Sequence, residues 1–307
     1  MTFSTESIQE LYPFESNYWD RDGIKMHYLD EGEGETVVML HGNPTWSFYY
    51  RNLVKALSPN YRTIVPDHIG CGLSEKPKDD KYSYLLDNRV DDVENLLDHL
   101  GLTENITLIA HDWGGMIGLA YALRKPERIK RMVMLNTAGF MLPEGQSLPL
   151  RLALIRFIRP FASVAVRGLN VFARGATWMA TKKGLPPKVK EGLVAPYNSW
   201  ENRIAVLRFV QDIPITPKDP SYDTCKYVED HLQDLSHIPL MLGWGEHDFV
   251  FDMGFLAEWE RLMPHAEVHR YPKAGHYVLE DEAETLVPTI QNFLQRHPLE
   301  ATPTPQA

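Results

Sequence analysis

The sequence predicts an α/β protein: a mostly parallel β-sheet flanked by helices, with a helical cap inserted after one strand. Two observations support this fold class. Short apolar segments with strand character alternate with amphipathic helical segments along most of the chain, and this alternation is interrupted once by a long helical stretch. With 307 residues and 44% hydrophobic content, the chain can bury a core of the required size.

The strands are predicted from β-branched and apolar runs that are too short for helices. Amphipathic segments such as "WSFYYRNLVKAL" and "RVDDVENLLDHLGL" separate them and predict the covering helices. Strands that alternate with helices favour parallel pairing, because each crossover returns the chain to the same edge of the sheet. In chain order the predicted strands are "IKMHYL", "TVVMLH", "RTIVP", "ITLIA", "RMVML", "PLMLGW" and "EVHRY".

The interruption runs from about Gly139 to Pro220, where no strand is evident, and the sheet resumes at Pro239. A helical insertion after one strand predicts a cap over the strand ends. The final segment "HPLEATPTPQA" is rich in proline and polar residues, which favours disorder. We therefore expect a core at 1–138 and 221–297, a cap at 139–220 and a disordered tail at 298–307.

The composition argues against several functional classes. A formal net charge of -10 disfavours nucleic acid as a partner, since that partner requires clustered Lys and Arg. The two cysteines, Cys71 and Cys225, are too few for a disulfide framework and lack metal-site spacing, so we expect buried, reduced thiols. The first residues show no signal-peptide pattern, and no window of 18 residues is apolar and uncharged. A cytoplasmic protein without a transmembrane segment is expected.

The cap differs from the core in charge. Residues 139–220 contain 12 Lys+Arg and 5 Asp+Glu, a local charge of +7 that leaves -17 for the remainder of the -10 total. Arginines recur through its apolar stretch, a pattern compatible with a membrane-surface helix, a subunit interface or a solvated lid. Because the basic residues do not form one compact cluster, an interface in a homo-oligomer or multi-enzyme assembly, or a lid, is favoured.

The segment "AHDWGG", at 110–115, places Asp112 where the strand "ITLIA" turns into a helix. A nucleophile elbow needs small neighbours because its backbone is tightly turned, and Ala110, Gly114 and Gly115 meet that need. An aspartate that only caps the helix is the alternative for this motif alone. The elbow interpretation makes Asp112 a nucleophile, in the position where serine esterases carry serine.

Three further motifs follow predicted strands. "HGNP" would supply the backbone N–H of Asn43 to an oxyanion hole, and Trp113, after the nucleophile, would supply the second. "GWGEHDFVFD" and "AGHYVLED" place Asp248 and His276 on later loops, and the order nucleophile, acid, histidine is that of α/β-hydrolases. Some α/β-hydrolases place the acidic partner of the histidine after the strand that "RMVML" represents here. No carboxylate follows "RMVML" in this sequence, which leaves Asp248 as the candidate acid and Asp252 as its weaker rival.

Taken together, "HGNPTWSFYYRN", "DHIGCGLSEKP", "AHDWGG", "GWGEHDFVFD" and "AGHYVLED" resemble the haloalkane dehalogenases of the α/β-hydrolase superfamily, in the branch with an Asp-His-Asp triad and an Asn-Trp halide pair. The same motifs are similar to those of the β-lactone decarboxylases of bacterial olefin biosynthesis. The resemblance implies catalytic Asp112, His276 and Asp248, and a halide site at the Asn43 amide and the Trp113 indole. It implies neither cofactor nor metal.

The function expected first is therefore hydrolysis of haloalkanes to alcohol and halide, through an aspartyl ester that His276 and water cleave. The main alternative is decarboxylation of a cis-β-lactone to a long-chain alkene. Epoxide hydrolysis is less favoured because that family's cap supplies two tyrosines, and this cap contains only Tyr197. A non-catalytic interaction protein on the same fold is the remaining alternative. A small apolar substrate is expected for either of the first two enzymes.

Overall fold

A computed structural model describes residues 3–299 and contains one eight-stranded sheet. The strands are β1 Asn17–Arg21, β2 Ile24–Glu31, β3 Glu35–Leu40, β4 Tyr61–Pro66, β5 Ile106–His111, β6 Ile129–Leu135, β7 Leu240–Gly245 and β8 Glu267–Tyr271. Their order in the sheet is β1-β2-β4-β3-β5-β6-β7-β8. Strand β2 pairs antiparallel with β1 and β4, and the remaining neighbours are parallel, which confirms the prediction of a mostly parallel sheet.

All seven predicted strands are present, with ends shifted by no more than two residues. The sequence analysis missed β1, a strand at the edge of the sheet. Its residues alternate between half-buried and exposed, since β1 pairs with β2 alone and covers little of the core. A strand of this kind carries no apolar run, so the pattern that identified the other strands is absent.

Two layers of helices cover the sheet. Neighbouring residues of β3 point to opposite faces, with Val38 and Leu40 in one apolar cluster and Val37 and Met39 in the other. Both faces are therefore buried, which explains the continuous apolar runs of the central strands. The core helices are α1 Arg51–Leu57, α2 Leu86–His99, α3 Trp113–Arg124, α9 Tyr222–His231, α10 Met253–Leu262, α11 Val278–Asp281 and α12 Ala283–Arg296.

The segment between β6 and β7 contains helices and no strand among the described residues. Its cap helices surround a small apolar cluster that includes Leu152, Val166 and Val210. Helix α9 packs against α3 of the core, so the chain has returned to the core by Tyr222. The cap contains α4 Leu150–Phe157, α5 Arg159–Ala162, a π-helical turn at Ser163–Gly168, α6 Val171–Met179, α7 Pro187–Val194 and α8 Ile204–Gln211.

Other expectations from the sequence concern cysteines, membrane spans and the tail. Cys71 and Cys225 are buried and unpaired, as predicted, and burial raises the pKa of the Cys71 thiol to about 12. Within residues 3–299, no helix combines the length and apolar character needed to cross a bilayer. The predicted tail at 298–307 lies outside the described residues from position 300 onward.

Candidate active site

Asp112 lies at a sharp turn between β5 and α3. Its backbone has φ 53° and ψ -128°, a conformation that residues with a side chain seldom adopt. A Cβ atom on Gly114 would overlap the carbonyl oxygen of Leu40, so the close approach of the turn to β3 requires glycine there. The geometry is that of a nucleophile elbow, with the carboxyl group at the carboxyl end of a central strand.

The loop after β3 holds one oxygen of this carboxylate. The backbone N–H of Asn43 donates to Oδ1 of Asp112 at 2.7 Å, and the backbone N–H of Trp113 also donates to the carboxylate. A Cβ on Gly42 would collide with the Asp112 side chain. The two N–H groups named as oxyanion donors in the sequence analysis therefore converge on the carboxyl group of Asp112.

His276 and Asp248 complete the cluster from the loops after β8 and β7. His276 Nε2 lies 3.6 Å from Asp112 Oδ2, and His276 Nδ1 lies 2.8 Å from Asp248 Oδ2. The other oxygen of Asp248 accepts the backbone N–H of Val250 at 2.7 Å. All three side chains are buried, between 4% and 7% exposed, so their interactions are shielded from water.

Asp252, the weaker rival for the acid, occupies a different environment. Its Oδ1 accepts the backbone N–H of Gly254 at 2.8 Å and so caps the amino end of α10. The Gln146 side chain also donates to this oxygen, at 3.3 Å. The structure therefore places Asp248 against the histidine and assigns Asp252 a capping contact.

The charges of the cluster influence one another. Burial raises the pKa of Asp112 above its usual value, and this effect exceeds the opposing influence of His276 and of the two backbone N–H donors. Burial by itself would lower the pKa of His276, but the carboxylates of Asp248 and Asp112 outweigh burial and raise it. The site thus favours an imidazolium beside Asp112 when that aspartate is ionised.

The predicted halide donors, Asn43 and Trp113, both line the cavity. The Asn43 side-chain amide donates one N–H to the carbonyl oxygen of Val206 in α8, at 3.1 Å, and so links the core to the cap. An amide nitrogen has two N–H groups, which leaves the second for a ligand. The Trp113 side chain is half-buried, lines the cavity and packs against the Phe209 ring at 5.5 Å between centroids.

The cavity above Asp112 is almost entirely apolar and has a volume of about 330 Å³. Core and cap both contribute to its wall, which explains why strand and helix patterns alone did not identify the lining. Tyr197, the one cap tyrosine considered for epoxide opening, does not line it; its hydroxyl donates to Thr45 O at 3.0 Å. Representative lining residues are Phe140 and Leu142 of the segment between β6 and α4, and Leu152, Ile155, Val166 and Phe172 of the cap helices.

Two supporting residues were not identified from the sequence. His111, directly before the nucleophile, contacts the carbonyl oxygen of His276 through Nε2 at 2.8 Å and packs on its ring at 4.6 Å. Phe251 stacks on the same ring at 5.9 Å. The position of His111 beside Asp112 was an available signal, whereas the Phe251 contact depends on the fold of a loop. Within residues 3–299, no group of three or more His, Cys, Asp or Glu side chains is arranged to hold a metal ion.

Comparison with known proteins agrees with this architecture. The model of the family described as "alpha/beta hydrolase fold" matches residues 35–283, most of the chain. The chain belongs to the α/β-hydrolase family. A solved variant of the haloalkane dehalogenase DatA from Agrobacterium tumefaciens superposes with a TM-score of 0.82 at 25% identity, covering 92% of this chain and 97% of that one. The predicted α/β-hydrolase fold is confirmed.

Curated relatives fall into the two groups that the motifs indicated. A cis-3-alkyl-4-alkyloxetan-2-one decarboxylase of Shewanella oneidensis is 51% identical over 288 residues, covering 94% of this chain and 90% of the relative. Its counterpart in Xanthomonas campestris is 47% identical, with coverage of 91% and 95%. A haloalkane dehalogenase of Mycolicibacterium paratuberculosis is 31% identical, with coverage of 93% and 94%. The resemblance to both groups is confirmed, and the higher identity is to the decarboxylases.

Proposed function

We propose that this α/β-hydrolase is a cis-β-lactone decarboxylase, which converts a cis-3,4-dialkyl oxetan-2-one into a cis alkene and carbon dioxide. The observation that carries the proposal is the 51% and 47% identity to two decarboxylases over more than nine-tenths of the chain, against 31% for a dehalogenase. The sequence analysis preferred the dehalogenase, and the comparisons favour its stated alternative.

In the first step, Oδ2 of Asp112 attacks the ring carbon that bears the lactone oxygen. A carbon–oxygen bond to Asp112 forms, the ring carbon–oxygen bond breaks, and the ring oxygen departs as part of a carboxylate. The carboxylate of Asp112 needs no base for this attack once ionised. Because Asn43 N–H holds Oδ1 at 2.7 Å, Oδ2 is the oxygen left for the new bond.

In the second step, the new carboxylate leaves as carbon dioxide. Its carbon–carbon bond breaks, that electron pair forms the double bond, and the bond to Asp112 breaks with its electrons returning to the aspartate. Attack inverts the first carbon and places Asp112 opposite the carboxylate, so elimination from opposite faces keeps both alkyl groups on one side. The cis lactone therefore yields a cis alkene, without water or a proton.

Asn43 and Trp113 would receive the carboxylate that the first step releases. The second amide N–H of Asn43 and the indole N–H of Trp113 are polar donors in a wall that is otherwise largely apolar. Buried N–H donors stabilise an anion strongly when water is excluded. A halide and a carboxylate oxygen both accept hydrogen bonds, so the same donor pair suits either leaving group.

The proposed role of His276 is electrostatic. The carboxylates of Asp248 and Asp112 outweigh burial and raise the pKa of His276, which favours the charged ring while Asp112 is ionised. An imidazolium 3.6 Å from Asp112 Oδ2 stabilises the aspartate as it becomes a carboxylate again. Asp248 would orient the ring through its 2.8 Å contact.

The decisive experiment supplies a synthetic cis-3,4-dialkyl β-lactone in H₂¹⁸O and measures alkene, carbon dioxide and the mass of the peptide containing Asp112. Decarboxylation predicts alkene and no ¹⁸O in Asp112, because water never attacks the ester. Hydrolysis predicts a hydroxy acid and ¹⁸O in the aspartate, since water adds to the ester carbonyl. A hydroxy acid as the main product would refute the proposal.

Asp252→Asn is the matched control for Asp112→Asn in this assay. Both changes replace a carboxylate by an isosteric amide, but Asp252 does not line the cavity and contacts Gly254. We expect alkene formation to stop in the Asp112 variant and to persist in the Asp252 variant. Equal loss in both would indicate that the assay reports folding and not nucleophilic attack.

The haloalkane dehalogenase remains the second candidate function because the two N–H donors at the cavity also suit a halide. Sustained bromide release from a bromoalkane panel, with ¹⁸O entering Asp112, would support it. Stoichiometric bromide release that then stops would instead show that the ester forms and water cannot cleave it. That result agrees with the decarboxylase.

A further inference from the structure

The outer surface of the cap is unusually apolar. Of the thirteen large hydrophobic side chains that are exposed among residues 3–299, ten lie between positions 150 and 200. Exposure is high for several of them, at 75% for Leu150 and 72% for Trp178. Exposed apolar side chains concentrated in one segment of the chain indicate an interaction site. The apolar cap face consists of Leu150, Phe157, Ile158, Phe161, Val164, Leu169, Val171, Trp178, Met179 and Trp200.

The same part of the chain carries only positive formal charge. Positions 145–190 contain nine Lys and Arg and not one Asp or Glu. In the part of the chain that the structure describes, Arg151, Arg159, Arg174 and Lys182 form no ion pair, whereas Arg156, Lys183 and Lys188 each have an acidic partner. Lys and Arg side chains without an acidic partner therefore lie in the same segment as the exposed apolar side chains.

The apolar cap face also borders the entrance to the active-site cavity. Phe161, Val171 and Met179 line that cavity and yet are 49%, 53% and 40% exposed. Arg151 and Phe249 have the same double character, since each lines the cavity and is exposed. A ligand that reached the apolar cap face would meet the cavity without crossing bulk water.

In place of the interface or lid favoured from the sequence, we propose that the apolar cap face docks on an anionic lipid bilayer, from which the substrate enters the cavity. The inference rests on the proposed function in one respect: a dialkyl lactone and its alkene product partition into lipid. Apolar and aromatic side chains that insert at the headgroup boundary, flanked by Lys and Arg, are the pattern of interfacial binding.

The distribution of charge between cap and core favours a lipid surface over a second copy of the chain, because it turns the cap toward an anionic bilayer and the core away from it. The residues outside 139–220 carry -17, which an anionic surface repels, while the +7 of the cap is attracted. A copy of this chain could offer its acidic core to the cap only in a head-to-tail contact. Such contacts do not close unless they form a ring.

The test uses the full-length protein and two vesicle preparations, one of phosphatidylcholine and one with phosphatidylglycerol added. We expect cosedimentation with the anionic vesicles, weaker binding to the neutral vesicles, and weakening with salt, because exposed charges are screened. The double variant Phe157→Glu/Trp178→Glu should bind the anionic vesicles at least about tenfold more weakly. Neither residue lines the cavity.

Two controls separate docking from general effects. Tyr227→Glu alters a side chain that is 50% exposed outside the apolar cap face, and it should leave vesicle binding unchanged. For charge, Arg159→Glu/Arg174→Glu should weaken binding, and Lys130→Glu, at an exposed position of the core, should not. Turnover of a short-chain lactone dissolved without lipid should remain normal in every variant.

Two outcomes would overturn the docking proposal. One is the absence of binding to anionic vesicles by the wild type. The other is a dimer or larger oligomer in sedimentation analysis that Phe157→Glu/Trp178→Glu dissociates, together with no vesicle binding, which would make the face a protein interface. Alkene formation from the dissolved lactone is measured independently, so failure of the proposed function would be recognised separately.

Discussion

The candidate active site of the core and the outer face of the cap differ in how exposed their side chains are. In the candidate active site, Asp112, Asp248 and His276 are at most 7% exposed and contact one another or backbone N–H groups. On the cap, side chains such as Leu150 and Trp178 are more than 70% exposed. The contacts that the proposed chemistry needs are therefore buried, whereas the cap exposes apolar side chains that would suit the proposed lipid surface.

The largest effect should follow removal of the nucleophile. Asp112→Asn keeps the size of the side chain but cannot form the ester, and we expect turnover of the β-lactone to fall by at least roughly 10³-fold. Circular dichroism should show that the fold is intact. Activity within tenfold of the wild type would remove Asp112 from the proposed mechanism.

His276→Phe distinguishes the two candidate reactions. With a bromoalkane, the variant should release about one equivalent of bromide per site and carry the alkyl group on Asp112, because the ester is not cleaved. With the β-lactone, it should still turn over repeatedly, slowed roughly 10- to 100-fold by loss of the imidazolium. His265→Phe, at an exposed position, serves as the control. Complete arrest with the lactone would contradict an electrostatic role.

Trp113→Phe tests the donor pair at the boundary between core and cap. The change keeps an aromatic ring against Phe209, whose centroid lies 5.5 Å away, and removes the indole N–H. We expect a cost of about 1.5 to 3 kcal/mol in the displacement step. Single-turnover bromide release is the readout, with Trp19→Phe on the edge strand β1 as the control. An unchanged rate of bromide release would show that Trp113 only packs against its neighbours.

The smallest effect concerns stability and pH. Burial raises the pKa of Asp112 in the folded protein, so its ionised form opposes folding above the unfolded pKa, and this cost is relieved as the pH falls through the folded pKa. Asp112→Asn should therefore have a higher Tm than the wild type near pH 7, with the advantage shrinking toward pH 4. A Tm difference that grows on acidification would contradict the raised pKa.

Much of the fold follows from local pattern. The six inner strands have the apolar runs that strands need when both faces are covered, whereas β1 and β8 form the two edges of the sheet and β1 carries no apolar run. The helical insertion can also be recognised from local pattern, because its apolar residues recur with the helical period. By contrast, the contact of His111 with His276 joins residues 165 positions apart, and no local pattern encodes it.

For the proposed activity, too, local motifs and the whole chain carry different information. The motifs around Asn43, Asp112 and His276 point to a carboxylate nucleophile with two donors, and they are shared by enzymes of two different reactions. The motifs alone favoured the dehalogenase, because the donor pair and a complete hydrolytic triad are both present. Whole-chain similarity, at 51% against 31%, reversed that preference.

The α/β architecture, the elbow at Asp112 and the loops that carry Asn43, Asp248 and His276 could be predicted from the sequence. These features depend on residue type and spacing near one strand end at a time. Three properties became visible in the folded chain alone: Asp248 and not Asp252 contacts the histidine, the cavity is apolar on nearly every side, and its entrance opens among exposed cap residues. Those properties arise from side chains far apart in the chain, which packing alone brings together.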